Sequence, residues 1–239
     1  MSSRASQPSV DPRTRAMLEE AIREIHVIAG LGDEQPWSPV IGGDGAERHV
    51  KTISVGVTSP DYGDGKTTIS MALAASLAHD FDTNVTLVDA DFHTHSIARE
   101  FGLGGRRGLT DVLAGKAPVV AATHRVPGGT MAIVPAGIAV ADPARLARSG
   151  NLGPALEEIK ASSSYVVVDL PATLRSMNAP ALAQSCDAVV VVVRHGKTSR
   201  QDLDRTLHLL KSANVIGVVV NRHHSSVPRW LASALGLSS

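Results

Sequence analysis

Cysteine is almost absent from this 239-residue chain, and the one present, Cys186, has no partner for a disulfide within the chain. An iron–sulfur cluster needs several thiolate ligands, so one chain could not hold such a cluster alone. Aromatic residues make up only 3% of the sequence, and two of them are tyrosines. We therefore predict that Cys186 is a small buried hydrophobic residue in a protein without disulfides.

Net charge is absent as well. The 23 basic and 23 acidic residues cancel, and no run of like charges points to a nucleic-acid or membrane surface. The longest apolar run, residues 188–193, is far shorter than the ~20 residues that a membrane helix requires. The N-terminus also lacks the apolar core of a signal peptide. We expect a cytoplasmic protein that binds no nucleic acid and does not insert into a membrane.

A hydrophobic content of 43% is sufficient for a full core, and the sequence divides into two parts. Residues 1–49 comprise a Ser-rich tail, an amphipathic helix over 12–28 and a linker rich in Gly and Pro. Residues 50–239 form the predicted domain. The helix needs an apolar surface to pack on, and the linker would allow it to reach a neighbouring subunit.

Short Val- and Ile-rich runs alternate with helical patterns along this domain. We predict strands at 52–58, 84–89, 131–134, 165–169, 187–193 and 214–220, and helices at 66–79, 96–101, 109–114, 152–160, 178–185 and 199–212. Continuous apolar strands joined by helices indicate an α/β fold with a doubly wound, mostly parallel sheet. Ligands of such sheets bind at the carboxyl ends of the strands.

A phosphate-binding loop is predicted between the first strand and the first helix. The loop has Gly63 and Gly65 where the backbone must approach a phosphate, and Pro60 stands where the full P-loop pattern has another glycine. Lys66 would reach the β- and γ-phosphates, and Thr67 would offer its hydroxyl to Mg²⁺. The sequence therefore predicts a P-loop NTPase that binds ATP and Mg²⁺, with nucleotide-binding residues Gly63, Asp64, Gly65, Lys66, Thr67 and Thr68.

Two further motifs end predicted strands with carboxylates. Asp89 and Asp91 follow one apolar strand, and Asp169 and Pro171 follow another. Three carboxylates would gather near a triphosphate only if a metal ion held them there, so these motifs imply Mg²⁺. The alternative interpretation is that each aspartate simply caps a turn or a helix.

With these motifs in view, residues 50–222 resemble the bacterial tyrosine kinases of exopolysaccharide biosynthesis, a branch of the deviant P-loop ATPases. The matching segments are 62–67, 89–93 and 169–171, with lesser matches at 108–115, 134–137, 143–149, 193–198 and 217–222. The resemblance implies a catalytic group of Lys66, Asp89, Asp91 and Asp169, and metal ligands Thr67, Asp89 and Asp169. It also implies that Asp89 is the base for a tyrosine hydroxyl, that Asp91 orients the metal, and that Asn221 and Arg222 contact the nucleotide.

The resemblance further implies partners. The pattern Glu20-x-x-Arg23-x-x-His26 is similar to the family's helix that docks on the next subunit of a ring, so a homo-oligomer is expected. A membrane-bound polysaccharide co-polymerase would act as activator and would recruit the chain to the inner face of the membrane.

The sequence also departs from the family. Residues 223–239 contain no tyrosine, and His93 and His26 stand at positions of arginines. An arginine provides a permanent bidentate charge, which a histidine does not. Two alternatives to a kinase therefore stay open: a dimeric partitioning ATPase of the ParA/MinD type, whose second lysine is replaced by Asp61 here, and a nucleotide-gated scaffold without kinase activity.

Overall fold

One seven-stranded sheet organises the part of the chain that the structure describes. The computed structural model describes residues 52–222, apart from 81–82, 128, 139–141, 143–144 and 147–149. The predicted N-terminal tail, helix and linker and the segment from residue 223 onward lie outside the described residues, and the division into 1–49 and 50–239 stays a prediction.

The strands are short and mostly buried. Their bounds are β1 Ile53–Thr58, β2 Val85–Asp89, β3 His124–Arg125, β4 Met131–Val134, β5 Tyr165–Asp169, β6 Ala188–Arg194 and β7 Val215–Asn221. The helices that connect them are α1 Lys66–Asp80, α2 Ser96–Glu100, α3 Leu109–Leu113, α4 Val119–Ala122, α5 Leu152–Lys160, α6 Ala179–Gln184 and α7 Arg200–Leu209. Within the described residues, no helix has the length and apolarity needed to cross a bilayer.

The strand order is β3-β4-β2-β5-β1-β6-β7, and every pairing except that of β3 with β4 is parallel. The predicted doubly wound, mostly parallel sheet is confirmed. Because β5 lies between β1 and β2, the loops that follow these three strands meet at one edge of the sheet. The phosphate-binding loop and all three predicted aspartates are at that edge.

Two hydrophobic clusters cover the two faces of the sheet. Side chains of a strand alternate between the faces, so Val166 and Val168 of β5 join one cluster while Tyr165 and Val167 join the other. Helix α1 packs on the second face, and α5 packs on the first. Burial on both faces explains why these strands read as continuous apolar runs rather than alternating patterns.

The sequence-based element bounds differ from the observed ones by one residue for most strands. Helix α7 ends at Leu209, three residues before the predicted end, because Leu210 leaves helical geometry and the chain turns towards β7. Two elements were not predicted, α4 and the antiparallel edge strand β3. Both are too short to show a hydrophobic period in the sequence.

Candidate nucleotide site

The loop between β1 and α1 adopts a conformation that depends on its glycines. Gly63 and Gly65 have φ angles of +78° and +103°, a region that residues with a Cβ rarely occupy. Helix α1 then begins at Lys66, so its first unpaired N–H groups point into the loop. A loop of this shape at a helix N-terminus is suited to an anion.

Two buried polar side chains, those of Asp64 and Asn221, hold the loop in place through hydrogen bonds to its backbone. Asp64 is 1% exposed, and its Oδ2 accepts a hydrogen bond from Asp61 N at 3.0 Å. Asn221, at the end of β7, donates from Nδ2 to Asp64 O at 2.9 Å, and its Oδ1 accepts from Arg222 N at 2.8 Å. Asn221 therefore holds the loop backbone, a contact that the sequence did not indicate. Its expected role towards adenine stays a prediction.

Lys66 is buried among carboxylates. Its side chain is 8% exposed, and Nζ lies 2.8 Å from Asp91 Oδ2 and 3.5 Å from Asp169 Oδ2. Burial alone would lower the pKa of Lys66, but the two carboxylates outweigh burial and raise it. The ammonium group is therefore charged and lies among the acidic groups at the inner side of the loop.

Thr67 and Asp169 are in direct contact. Thr67 Oγ1 donates to Asp169 Oδ2 at 2.7 Å, which joins the start of α1 to the end of β5. Ser70 Oγ lies 3.0 Å from Asp169 Oδ1 and 2.9 Å from Lys66 O, so its proton is shared between two acceptors. Ser70 is a member of the site that the sequence analysis missed. Its position four residues after Lys66, on the same helix face, was the available signal.

Asp89 and Asp91 complete the acidic group, with exposures of 1% and 0%. Asp89 is the register partner of Asp169 in the neighbouring strand, and its Oδ1 accepts from Asp91 N at 3.1 Å. Asp89 Oδ2 is buried without a hydrogen-bond partner among the described residues. A buried acceptor without a partner is costly, and a ligand such as a metal ion or its water would satisfy it.

The pKa values of the carboxyl groups reflect this crowding. Burial raises the pKa of Asp89 well above its ordinary value, and the neighbouring Asp169 charge adds to the rise. Burial also raises the pKa of Asp169, although Lys66 and the hydroxyls of Thr67 and Ser70 oppose it. Adjacent buried acidic groups with raised pKa values are typical of functional sites.

The residues present fit Mg²⁺ with a nucleotide rather than a metal held by protein alone. No group of three or more His, Cys, Asp and Glu side chains within the described residues could hold a metal ion. Hard oxygen donors are present in the Thr67 hydroxyl and in Asp89 and Asp169. Because Mg²⁺ usually takes only one or two carboxylates together with phosphates and water, this donor set suits it.

The segment that follows Asp169 holds the outer half of the loop. Thr58 Oγ1 donates to Pro171 O at 2.8 Å, and the backbone N–H of Thr173 donates to Ser59 O at 2.8 Å. Arg175 binds Asp61 with two bonds, Nε to Oδ1 at 2.7 Å and Nη2 to Oδ2 at 2.6 Å. This pair lowers the pKa of Asp61 to about 2. The sequence singled out Asp61 but not its partner, which lies 114 positions away.

The remaining predicted residues lie around the rim. Thr68 is exposed on the outer side of α1, and Arg222 is exposed with a φ of +56°. His93 is half exposed, and its Nδ1 is 3.8 Å from Asp91 Oδ1. A residue that the sequence analysis did not assign also reaches the loop, because Lys197 Nζ donates to Tyr62 O at 3.2 Å.

Comparison with known proteins gives a family. The model of the family described as an AAA domain matches residues 51–216, well over half of the chain. An uncharacterized ATP-binding protein of Methanocaldococcus jannaschii is 33% identical over 173 residues, which cover 71% of this chain and 64% of that protein. The tyrosine-protein kinase CpsD of Streptococcus agalactiae is 28% identical over 180 residues, or 73% of this chain and 77% of CpsD.

Solved structures share the fold. The kinase domain of the Escherichia coli tyrosine kinase Etk has a TM-score of 0.73 at 19% identity, covering 90% of this chain and 79% of Etk. The VpsO kinase domain has a TM-score of 0.70 at 25% identity, covering 89% of this chain and 97% of VpsO. The septum site-determining protein MinD of Pyrococcus horikoshii, complexed with Mg-ADP, has a TM-score of 0.61 at 24% identity, with 77% of each chain covered.

Proposed function

The chain belongs to the AAA domain family, and on that premise we propose that it is a Mg²⁺-dependent enzyme that uses ATP as a phosphotransferase or ATPase. The observation that carries the proposal is the contact of one lysine ammonium and one threonine hydroxyl with buried carboxylates from two strand ends, beside a glycine-dependent loop. Phosphoryl transfer depends mainly on positioning and charge neutralisation, which such a set provides.

The residues at the inner side of the loop would bind the phosphates. The N–H groups at the start of α1 and the Lys66 ammonium would hold the terminal phosphates, and Thr67 with Asp169 would hold Mg²⁺. When bound, Mg²⁺ neutralises phosphate charge and polarises the transferred group. Asp91 keeps the Lys66 amine in place through their 2.8 Å contact.

Asp89 is the candidate for proton transfer. Its Oδ2 is free of protein hydrogen bonds among the described residues, and burial raises its pKa towards the range in which a carboxylate accepts a proton efficiently. The residue would take the proton of an attacking hydroxyl or water. If it instead organises the metal, its replacement would weaken Mg²⁺ dependence as well as turnover.

The kinase reaction is proposed from relatives. The 28% identity with CpsD, a tyrosine-protein kinase, supports transfer of the γ-phosphoryl group to a tyrosine of a partner protein. The two tyrosines of this chain do not serve as acceptors in this proposal, since Tyr62 is in the loop itself and Tyr165 is 3% exposed in β5. Without a protein acceptor, the same site would work as an ATP-driven switch.

A partitioning ATPase of the MinD type is the second candidate, because MinD shares the fold. Such relatives are expected to carry a second lysine that crosses to the partner's phosphates, at the position of Asp61. Asp61 is engaged here with Arg175 of the same chain, and its charge has the opposite sign. This pair counts against a sandwich dimer built on position 61.

The partners and the location are also part of the proposal. We expect a homo-oligomer, a ring or a dimer, that works in the cytoplasm with a membrane-bound polysaccharide co-polymerase as activator. Deletion of residues 1–30 would change the oligomeric state and leave the fold intact, as size-exclusion chromatography with light scattering and circular dichroism would report. An unchanged mass would contradict the role of the N-terminal segment in assembly.

One assay distinguishes the functions. The purified chain is incubated with radiolabelled ATP, Mg²⁺ and a tyrosine-containing peptide, with and without a candidate activator, and labelled phosphate and phosphotyrosine are counted separately. Phosphotyrosine supports a kinase, free phosphate alone supports an ATPase switch, and ATP binding without either product supports a scaffold. The variant Lys66→Met is the matched control, because it removes the one lysine that the described part of the chain places at the inner side of the loop; equal activity of this variant would overturn the proposal.

A further inference from the structure

We propose that Lys197 is a second phosphate-binding lysine, which the loop after β6 supplies to the outermost phosphate of the nucleotide bound in the same chain. The inference rests on the proposed function and adds a residue to that site. Lys197 lies between β6 and α7, in a segment that is not part of the phosphate-binding loop.

The strand order brings Lys197 to the site. Strands β1 and β6 pair in parallel, so the loop after β6 lies directly beside the phosphate-binding loop. Lys197 Nζ is 3.2 Å from Tyr62 O, and it would be 3.7 Å from a Cβ placed on Gly63. Its amine therefore lies over the outer end of the loop, whereas Lys66 lies at the inner end.

The present partner of Lys197 is weak enough to be exchanged. The amine donates to one neutral carbonyl oxygen, and in the described part of the chain it makes no ion pair with a carboxylate. A phosphate oxygen has a negative charge, so its hydrogen bond to the ammonium gains a Coulomb attraction that the neutral carbonyl oxygen does not provide. A phosphate oxygen near Gly63 would therefore compete well for an exposed ammonium on a flexible stem.

The charges at the site favour a second cation. The ammonium of Lys66 is already engaged by buried carboxyl groups, those of Asp91 and Asp169, so the inner end of the loop has little positive charge to spare for a triphosphate. A cation at the outer end of the loop would offset part of the phosphate charge.

Arg175, which also reaches the outer end of the loop, is not free to do so. Arg175 is bound to Asp61 through two short bonds. Asp61 occupies the position at which ATPases of the MinD type are expected to carry the lysine that crosses to the partner's phosphates. The loop thus has an acidic residue at that position and a lysine of its own chain next to it. This arrangement favours neutralisation of the outermost phosphate within one subunit.

The test compares Lys197→Ala with Lys211→Ala, an exposed lysine two residues after the end of α7. Isothermal titration calorimetry measures the affinity of each variant for the non-hydrolysable analogue AMP-PNP and for ADP, both with Mg²⁺. We expect Lys197→Ala to weaken AMP-PNP binding by about tenfold and ADP binding by clearly less, since loss of a charged hydrogen bond has about this effect. Lys197→Arg should restore most of the preference for the triphosphate.

Three results would overturn the inference. These are affinities of Lys197→Ala equal to those of Lys211→Ala, equal losses for AMP-PNP and ADP, or a failure of Lys197→Arg to restore the difference between them. Equal losses would indicate that Lys197 only holds the loop through Tyr62 O. A failure of the wild-type chain to bind either nucleotide would instead refute the proposed function, so the two failures are distinguishable.

Discussion

Gly65→Ala tests the packing beneath the phosphate-binding loop. A Cβ at this position would overlap Asn221 Nδ2 and would lie 3.2 Å from Asn221 Cγ. Asn221 cannot simply swing away, because it is 9% exposed and its amide binds Asp64 O at 2.9 Å. The substitution must therefore either displace Asn221 or shift the loop.

The magnitude follows from two contributions. A residue with a Cβ at φ +103° carries backbone strain of about 1–3 kcal/mol. Loss of the hydrogen bond between Asn221 and Asp64 O adds about 1 kcal/mol. We therefore expect Gly65→Ala to lower the free energy of unfolding by about 2–4 kcal/mol. ATP affinity should fall as well, because the backbone N–H groups of the loop would no longer converge.

Gly63→Ala is the matched control. It has a φ of +78°, but the nearest atom to its added Cβ is Lys197 Nζ at 3.7 Å, an ordinary contact. In this variant the free energy of unfolding should fall only by the cost of backbone strain, about 1–2 kcal/mol. Urea denaturation of both variants, of Asn221→Ala and of Gly65→Ala/Asn221→Ala would give the coupling between positions 65 and 221. We expect the double variant to lose about 1 kcal/mol less than the sum of the single losses.

Two outcomes would refute this reasoning. If Gly63→Ala and Gly65→Ala lost equal stability, the overlap with Asn221 would have no energetic consequence. If the losses at positions 65 and 221 were additive, Asn221 would not be the group that the new Cβ meets. Either result would remove the assigned role of Asn221 in holding the loop.

Three further predictions concern other parts of the structure. Asp89→Asn should suppress ATP turnover more than ATP binding, because the amide cannot accept a proton; steady-state kinetics and calorimetry separate the two, and unchanged hydrolysis would count against the assigned role. Asp187→Ala should lower the free energy of unfolding by about 1–3 kcal/mol, because Asp187 Oδ2 accepts a hydrogen bond from the buried Ser54 N at 2.8 Å. Glu157→Ala removes an exposed salt bridge and should change the free energy of unfolding by about 0.5 kcal/mol or less. Urea denaturation measures both, and equal effects would contradict the assigned role of the bond between Asp187 and Ser54. The pKa of Asp89 is raised, so the folded chain holds this proton more tightly than the unfolded chain and the associated stability is lost as pH rises through the folded pKa. Mg²⁺ must displace that proton, so Mg²⁺-dependent nucleotide affinity should rise with pH over the same range, and Asp89→Asn should flatten the profile measured by calorimetry.

Most strands could be predicted from sequence because each is an apolar run that ends at a motif. Strands β4 and β5 were predicted at their observed bounds, and β1, β2, β6 and β7 within about one residue. The exceptions have a physical reason. The two residues of β3 owe their conformation to antiparallel pairing with β4, a tertiary contact that leaves no local pattern.

The inner part of the site could also be predicted, since Lys66 and Thr67 belong to one local motif and the aspartates end strands. Ser70 was missed although it lies on the same helix. Arg175 and Lys197 could not be found in this way, because their approach to the loop depends on β5 and β6 flanking β1. Strand order is a long-range property, and no spacing within the sequence encodes it directly.

The central claim is that Lys66, Thr67 and the adjacent carboxylates bind a nucleoside triphosphate together with Mg²⁺. Calorimetric titration of the wild-type chain and of Thr67→Ala with AMP-PNP, in Mg²⁺ and in EDTA, tests it most directly. The account predicts tight binding of the wild type only in Mg²⁺, and weak binding of Thr67→Ala that Mg²⁺ hardly improves. Equal wild-type affinity in Mg²⁺ and in EDTA, or no binding in either, would contradict it.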